Sequence, residues 1–124
     1  MANSNVEVTK MAAQPRKAAV AATILAGQSM SNSVDLTSGS LLMLINDGDW
    51  TPANVSFQIS HDNTTFVDLH DNMGVQVLRP MGPYRGVVIP SDVTSAAMYL
   101  KIRSGPLENP VKQQADRTFQ CVIG

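Results

Sequence analysis

The chain has 124 residues, of which 44% are hydrophobic, 15% charged and 5% aromatic. This length is typical of one domain, and the apolar content argues against wholesale disorder. Nine basic and ten acidic residues give a net charge of −1, which lacks the positive footprint that nucleic-acid-binding proteins carry. The single cysteine, Cys121, excludes an intramolecular disulfide framework and a multi-cysteine zinc site.

The N-terminal segment differs from the rest of the chain. Residues 1–18 are polar, contain Pro15 and lack a sustained hydrophobic period, which predicts a flexible arm. The stretch "RKAAVAATILAG" has the basic start and apolar run of a signal peptide, but a long polar segment precedes Lys17 and no small-x-small cleavage site follows. The apolar run is too short to span a bilayer. We therefore expect a soluble protein that does not associate with membranes.

Residues 19–124 show short apolar stretches separated by turn residues, a pattern typical of an all-β domain. Residues 91–97, "SDVTSAA", predict one helical turn with Ser91 or Asp92 as its cap. So many short strands favour an antiparallel β-sandwich, jelly-roll-like or with related Greek-key wiring. The predicted strands are 20–25, 31–36, 40–46, 54–60, 65–70, 75–79, 85–89, 97–103 and 117–123.

The stretch "FQISHDNTTFVDLHD", residues 57–71, concentrates two histidines and three aspartates. Pairing Ile59 with Val67 and Phe57 with Leu69 places the apolar side chains of both strands on one face. That register leaves residues 62–64 as a three-residue loop, in which Asn63 is the best candidate for a left-handed conformation. The polar residues then occupy the turn and the outward face, so the stretch predicts a hairpin.

The same register weakens the case for catalysis or metal binding. His61 and His70 fall on opposite faces, and the aspartates lack the spacing and the glycine of a calcium loop. With so few histidines, a Ser-His-Asp arrangement has little material. We expect no enzymatic activity, no cofactor and no metal. Trp50, beside the turn "NDGDW", is either an exposed contact residue or a cap on one end of the sandwich.

Three motifs carry a resemblance to a known group of proteins. They are "SNSVDL" from Ser31, "WTPANVSFQISHDNTTFVDL" from Trp50, and "YLKIRSG" from Tyr99. Together they resemble small β-sandwich virion proteins of tailed bacteriophages, across roughly residues 20–123. The resemblance leaves the N-terminal arm uncovered.

The resemblance implies a structural role on the virion. Such proteins act as capsid decoration (cement) proteins, head-spike pieces or tail adaptors, and cement proteins bind the major capsid protein as homotrimers on the capsid surface. We therefore expect a capsid decoration protein whose shell binding is lost when residues 1–18 are deleted. The alternatives are a carbohydrate- or receptor-binding module, with Trp50, Asp47 and Asp49 as its patch, and a head–tail adaptor. The candidate interface residues are Lys10, Arg16, Lys17, Trp50 and Tyr84.

Overall fold

A computed structural model describes residues 17–124, so Lys10 and Arg16 lie outside the described residues. The described part contains eight strands and one short helix, α1 (Ser91–Thr94). No helix among residues 17–124 is long and apolar enough to cross a membrane. The strands are β1 (Ala18–Ile24), β2 (Val34–Asp35), β3 (Leu41–Asn46), β4 (Val55–Ser60), β5 (Val67–Asp68), β6 (Arg85–Val88), β7 (Tyr99–Ser104) and β8 (Arg117–Ile123).

The strands form two four-stranded antiparallel sheets that pack as a sandwich. The first sheet has the order β1-β8-β3-β6 and the second has the order β2-β7-β4-β5. Strands therefore pair first with last, second with seventh, third with sixth and fourth with fifth, as in a long hairpin rolled up on itself. This is jelly-roll wiring, and it confirms the predicted all-β sandwich.

The core lies between the two sheets and is mainly aliphatic. Alternation along each strand turns one set of side chains inward, and Phe57, Leu100, Ile102 and Leu44 are fully buried there. At one end Trp50, only 6% exposed, packs edge-to-face on Phe119 with ring centroids 5.3 Å apart. Large apolar side chains of this kind each contribute about 1.5–3 kcal/mol on burial.

The hairpin register is confirmed. Gln58 pairs with Asp68 and Ile59 with Val67, and the Leu69 N–H donates to the Phe57 carbonyl at 3.0 Å. Asn63 has the predicted left-handed conformation, with φ 60°. One detail differs: Val67 shares the inner face but is 57% exposed, because β5 is a two-residue strand at the edge of its sheet.

Several predicted element boundaries are wrong. Only Val34–Asp35 of 31–36 and Val67–Asp68 of 65–70 form ladders, and β1 begins at Ala18, inside the segment predicted as an arm. The predicted strand 75–79 is absent from the described chain. Its backbone follows the edge of the second sheet through isolated bridges, such as that between Val55 and Arg79.

The helical turn lies where it was expected, but its cap does not. Helix α1 starts directly after Pro90, and no side chain donates or accepts a capping hydrogen bond at its start. The proposed caps Ser91 and Asp92 are instead the first two helical residues. Pro90 precedes the helix with φ −55°, close to the value to which its ring restricts the backbone. This restriction sets the start of the helix without a polar cap. The buried Thr94 side chain then joins the helix to β3 through the Leu41 backbone.

Candidate contact surfaces

The aspartate-rich hairpin is a self-contained turn. The Asp62 carboxylate accepts the backbone N–H groups of Thr65 and Thr64, both at 2.9 Å, and the Ser60 hydroxyl. These hydrogen bonds lower the pKa of Asp62 from its ordinary 3.8 to about 2. Asp71 does the same in the next turn, where the N–H groups of Val75 and Met73 lower its pKa. Each carboxylate is therefore occupied by its own turn.

The two histidines do not meet in the structure. His61 is exposed with its ring 3.9 Å from Asp62, and His70 contacts the Asp68 backbone carbonyl. Within residues 17–124, no three His, Cys, Asp or Glu side chains are grouped as metal ligands. Cys121 is buried in the core, and this burial raises the pKa of its thiol to about 12.

The outer face of the second sheet contains a buried polar cluster that the sequence did not reveal. Arg103 is 4% exposed, and its guanidinium donates to the Ser56 hydroxyl at 2.9 Å and to Asp68 at 2.7 Å. The Ser56 hydroxyl in turn donates to the Gly105 carbonyl at 2.7 Å. These bonds join β4, β5 and β7 across the sheet. The partners lie far apart in the sequence, so no local motif could have identified the cluster.

The charge state of this cluster follows from competing effects. Partial burial acts to raise the pKa of Asp68, but the hydrogen bond and charge of Arg103 outweigh it, and the net shift is downward. The Asp68 carboxylate is therefore ionised at neutral pH. One guanidinium nitrogen, Nη2 of Arg103, is buried without a hydrogen-bond partner among the described residues. On the same face the Lys101 ammonium lies 4.4 Å from the centre of the Phe66 ring.

The outer face of the first sheet carries no charged side chain in the described strands. Strand alternation assigns Arg85 and Arg117 to the inner side, opposite Asn46 and Ile24. The most exposed large apolar side chain on this face is that of Val88, which is 65% accessible. The residues of this uncharged face are Ala19, Ala21, Thr23, Met43, Ile45, Gly86, Val88, Thr118, Gln120 and Val122.

Tyr84 lies beside the uncharged face in the turn before β6. Its side chain is 73% exposed, and its backbone has a left-handed φ of 50°. A non-glycine residue in this conformation costs about 1–2 kcal/mol. Its N–H donates to the Gly48 carbonyl at 3.1 Å, which ties the turn to the neighbouring one. An exposed aromatic held in a strained conformation contributes little to the fold that presents it.

The structure separates the predicted interface residues. Lys17 is exposed at the start of β1, whereas Tyr84 lies at the opposite end of the sandwich, where β3 ends. Trp50 is near that second end but is buried, and its indole N–H donates to the Ala53 carbonyl at 2.9 Å. Trp50 therefore closes the end of the sandwich, and the stacking patch with Asp47 and Asp49 does not form.

A cleft of the described residues lies between residues 70–79 and helix α1. Its volume is about 540 Å³, within the range of small-molecule sites. His70, Arg79 and Asp92 line it together with apolar side chains such as Val77 and Val93. The cleft can accept a polar ligand with apolar faces.

A scan of the chain against models of known protein families found no match, and a search of curated proteins also found none.

Proposed function

We propose that the protein is a capsid decoration (cement) protein of a tailed bacteriophage, which binds the shell of the major capsid protein as a homotrimer. Its location is then the capsid surface, and it acts by burying surface rather than by catalysis. The proposal draws on the three virion-protein motifs, which fall on β2, on the β4–β5 hairpin and on β7. It would make Tyr84 a binding residue.

The single observation that carries the proposal is the strained, exposed Tyr84. The left-handed backbone conformation of Tyr84 destabilises the isolated chain. The ring is 73% exposed, so its packing contributes too little free energy to offset the strain. Tyrosine is among the residues that dominate binding energy when buried at an interface. The strain is therefore explained if the ring is buried by a partner, which a shell subunit would supply.

Shell binding tests the proposal directly. We expect the full chain to co-sediment with bare shells of the major capsid protein from the same phage, and Tyr84→Ala to weaken this binding about tenfold or more. Met73→Ala is the matched control, because Met73 is 79% exposed on another turn, and we expect it to bind normally. Absence of co-sedimentation by the wild-type chain would remove the proposed function.

The N-terminal arm needs a shorter deletion than the sequence suggested. Ala18 belongs to β1 and pairs with Ile123, so the deletion must end at Arg16 to leave the sheet intact. We expect removal of residues 1–16 to abolish shell binding while leaving the unfolding transition in place. Unchanged shell binding by this variant would assign the contact to the Tyr84 end alone.

A carbohydrate- or receptor-binding module is the second candidate, and the cleft between residues 70–79 and helix α1 favours it. Its mixture of His70, Arg79 and Asp92 with apolar walls suits a sugar better than Trp50 does. Binding on a glycan array that is lost in Arg79→Ala would support this function. A head–tail adaptor is separated from both by its copy number per virion.

A further inference from the structure

The first sheet has an open edge at β1. On this side the Thr23 N–H and C=O are occupied by Asn32, through its side chain and its backbone respectively. Backbone groups point to alternate sides along a strand, so those of Ala21 and Ala19 point the same way as those of Thr23. Neither pairs with another described residue on that side, and both residues are exposed.

The opposite edge of the same sheet, at β6, is open in the same way. The Ile89 N–H donates to Leu42 of β3, so the odd-numbered residues of β6 point inward to the sheet. Gly86 and Val88 therefore present their N–H and C=O groups outward, and both are exposed. Edge strands usually carry a charge or a proline that blocks pairing with another chain. Strand β1 carries neither, and the one charged residue of β6, Arg85, directs its backbone groups inward to β3.

We infer that copies of this chain pair through these two edges, with β1 of one copy joined to β6 of the next. Within the sheet β1 and β6 run antiparallel, because β8 and β3 alternate between them. Rotation about an axis parallel to the strands preserves this relation between neighbouring copies. Ala19 then lies opposite Val88 and Ala21 opposite Gly86, which satisfies the open backbone groups of both edges.

Copies joined in this way around the axis form a closed ring, and the uncharged face of each copy turns toward the ring axis. The four strands span about 19 Å at about 4.8 Å per strand, so three copies form a prism whose faces lie about 5.5 Å from the axis. That distance is close to half of the roughly 10 Å at which packed sheets lie, so the side chains fill the centre. Four copies would place each face about 9.5 Å away and leave the centre empty. The geometry therefore points to three copies.

An uncharged face is matched in charge by another uncharged face, and this favours a second copy of the chain as the partner that covers it. A partner that covered the uncharged face with a charged surface would bury those charges without counter-charges, which is costly. The outer face of the second sheet is excluded for this reason, because its Lys101 ammonium contacts the Phe66 ring and no carboxylate among the described residues. The same face of another copy fits. The inference rests on the proposed function in that it names the contact surface of the proposed homotrimer.

The test compares two exposed valines on edge strands of the two sheets. Val88 of β6 is 65% exposed and Val67 of β5 is 57% exposed, so each accepts lysine without loss of core packing. The solution mass of the full chain is measured by light scattering after size exclusion. We expect about three times 13.3 kDa for the wild type and for Val67→Lys, and 13.3 kDa for Val88→Lys. A monomeric or dimeric wild type, or a trimeric Val88→Lys, would overturn the inference.

Hydrogen exchange provides a second readout that does not depend on the lysine. Ala21→Pro removes an N–H that points away from β8, so the ladder to Cys121 and Phe119 is retained. We expect this variant to be monomeric, and the Gly86 and Val88 amides to exchange at least about tenfold faster than in the wild type. Equal exchange in the two proteins would also overturn the inference. Neither readout uses a shell, so a failure of shell binding is a separate result.

Discussion

The two outer faces of the sandwich differ in their charge and in how much apolar surface they expose. The second sheet carries charges, and it pairs them internally: Arg103 with Asp68, and Lys101 over the Phe66 ring. The outer face of the first sheet carries none in the described strands and leaves Val88, Gly86, Ala19 and Ala21 exposed. A face that satisfies its own polar groups can remain in water, whereas an apolar face with open edges gains free energy when another surface covers it.

The largest effect is expected from breaking the charge pair of the second sheet. Arg103→Ala leaves Asp68 without its main partner and removes the bond to Ser56. Because Arg103 is buried, we expect the free energy of unfolding to fall by about 3 kcal/mol. Urea unfolding followed by circular dichroism measures this change. The control is Lys101→Ala on the same strand and face, for which we expect a loss of at most about 1 kcal/mol.

Equal losses of unfolding free energy in the two variants would contradict this prediction. They would show that the buried cluster contributes no more than a surface cation near a ring. The outer face of the second sheet would then be as dependent on a partner as that of the first.

The next prediction is an increase in the free energy of unfolding, and it concerns Tyr84 at the border of the uncharged face. Tyr84→Gly relieves the left-handed strain at φ 50°, and we expect the free energy of unfolding to rise by about 1 kcal/mol. The same variant should lose shell binding. Tyr84→Ala is its control, since alanine keeps the strain and removes only the ring. A destabilised Tyr84→Gly variant would mean that the ring packs on its own chain.

The smallest effect tests whether the β4–β5 turn satisfies its own charge. The folded pKa of Asp62 is about 2, below its ordinary 3.8, so its ionised form stabilises the fold above pH 4. That contribution is lost as the pH falls from about 4 through about 2. We expect Asp62→Asn to unfold at lower urea concentration at pH 6 and to approach the wild type at pH 2. An equal difference at both pH values would assign the effect to shape rather than charge.

Two neighbouring segments of the chain differ in how well alternation predicted their strand pairing. The hairpin at residues 57–71 followed from alternation alone, because a slip of one residue would expose every core side chain on both strands. Residues 75–79 show the same alternation but form no ladder, because the backbone of Val77 and Arg79 finds partners one residue at a time. Alternation reports burial, and it does not report which neighbour is within hydrogen-bonding distance.

The two aromatic candidates for the interface also differ in the structure, since one is exposed and the other is buried. Tyr84 is a predicted interface residue and is exposed, but its left-handed backbone is visible only in three dimensions. Trp50 had the same sequence context beside a turn, and contact with Phe119 removed it from the surface. Neither outcome follows from residue type.

The all-β domain, most of its strands and the register of one hairpin follow from the sequence alone. They do so because side-chain alternation and turn residues act over a few positions. The tertiary structure decided the jelly-roll order, the burial of Arg103 beside Asp68, and the separation into a charged and an uncharged outer face. These depend on strands far apart in the chain, whose pairing is set by the best overall burial of apolar surface rather than by any local pattern.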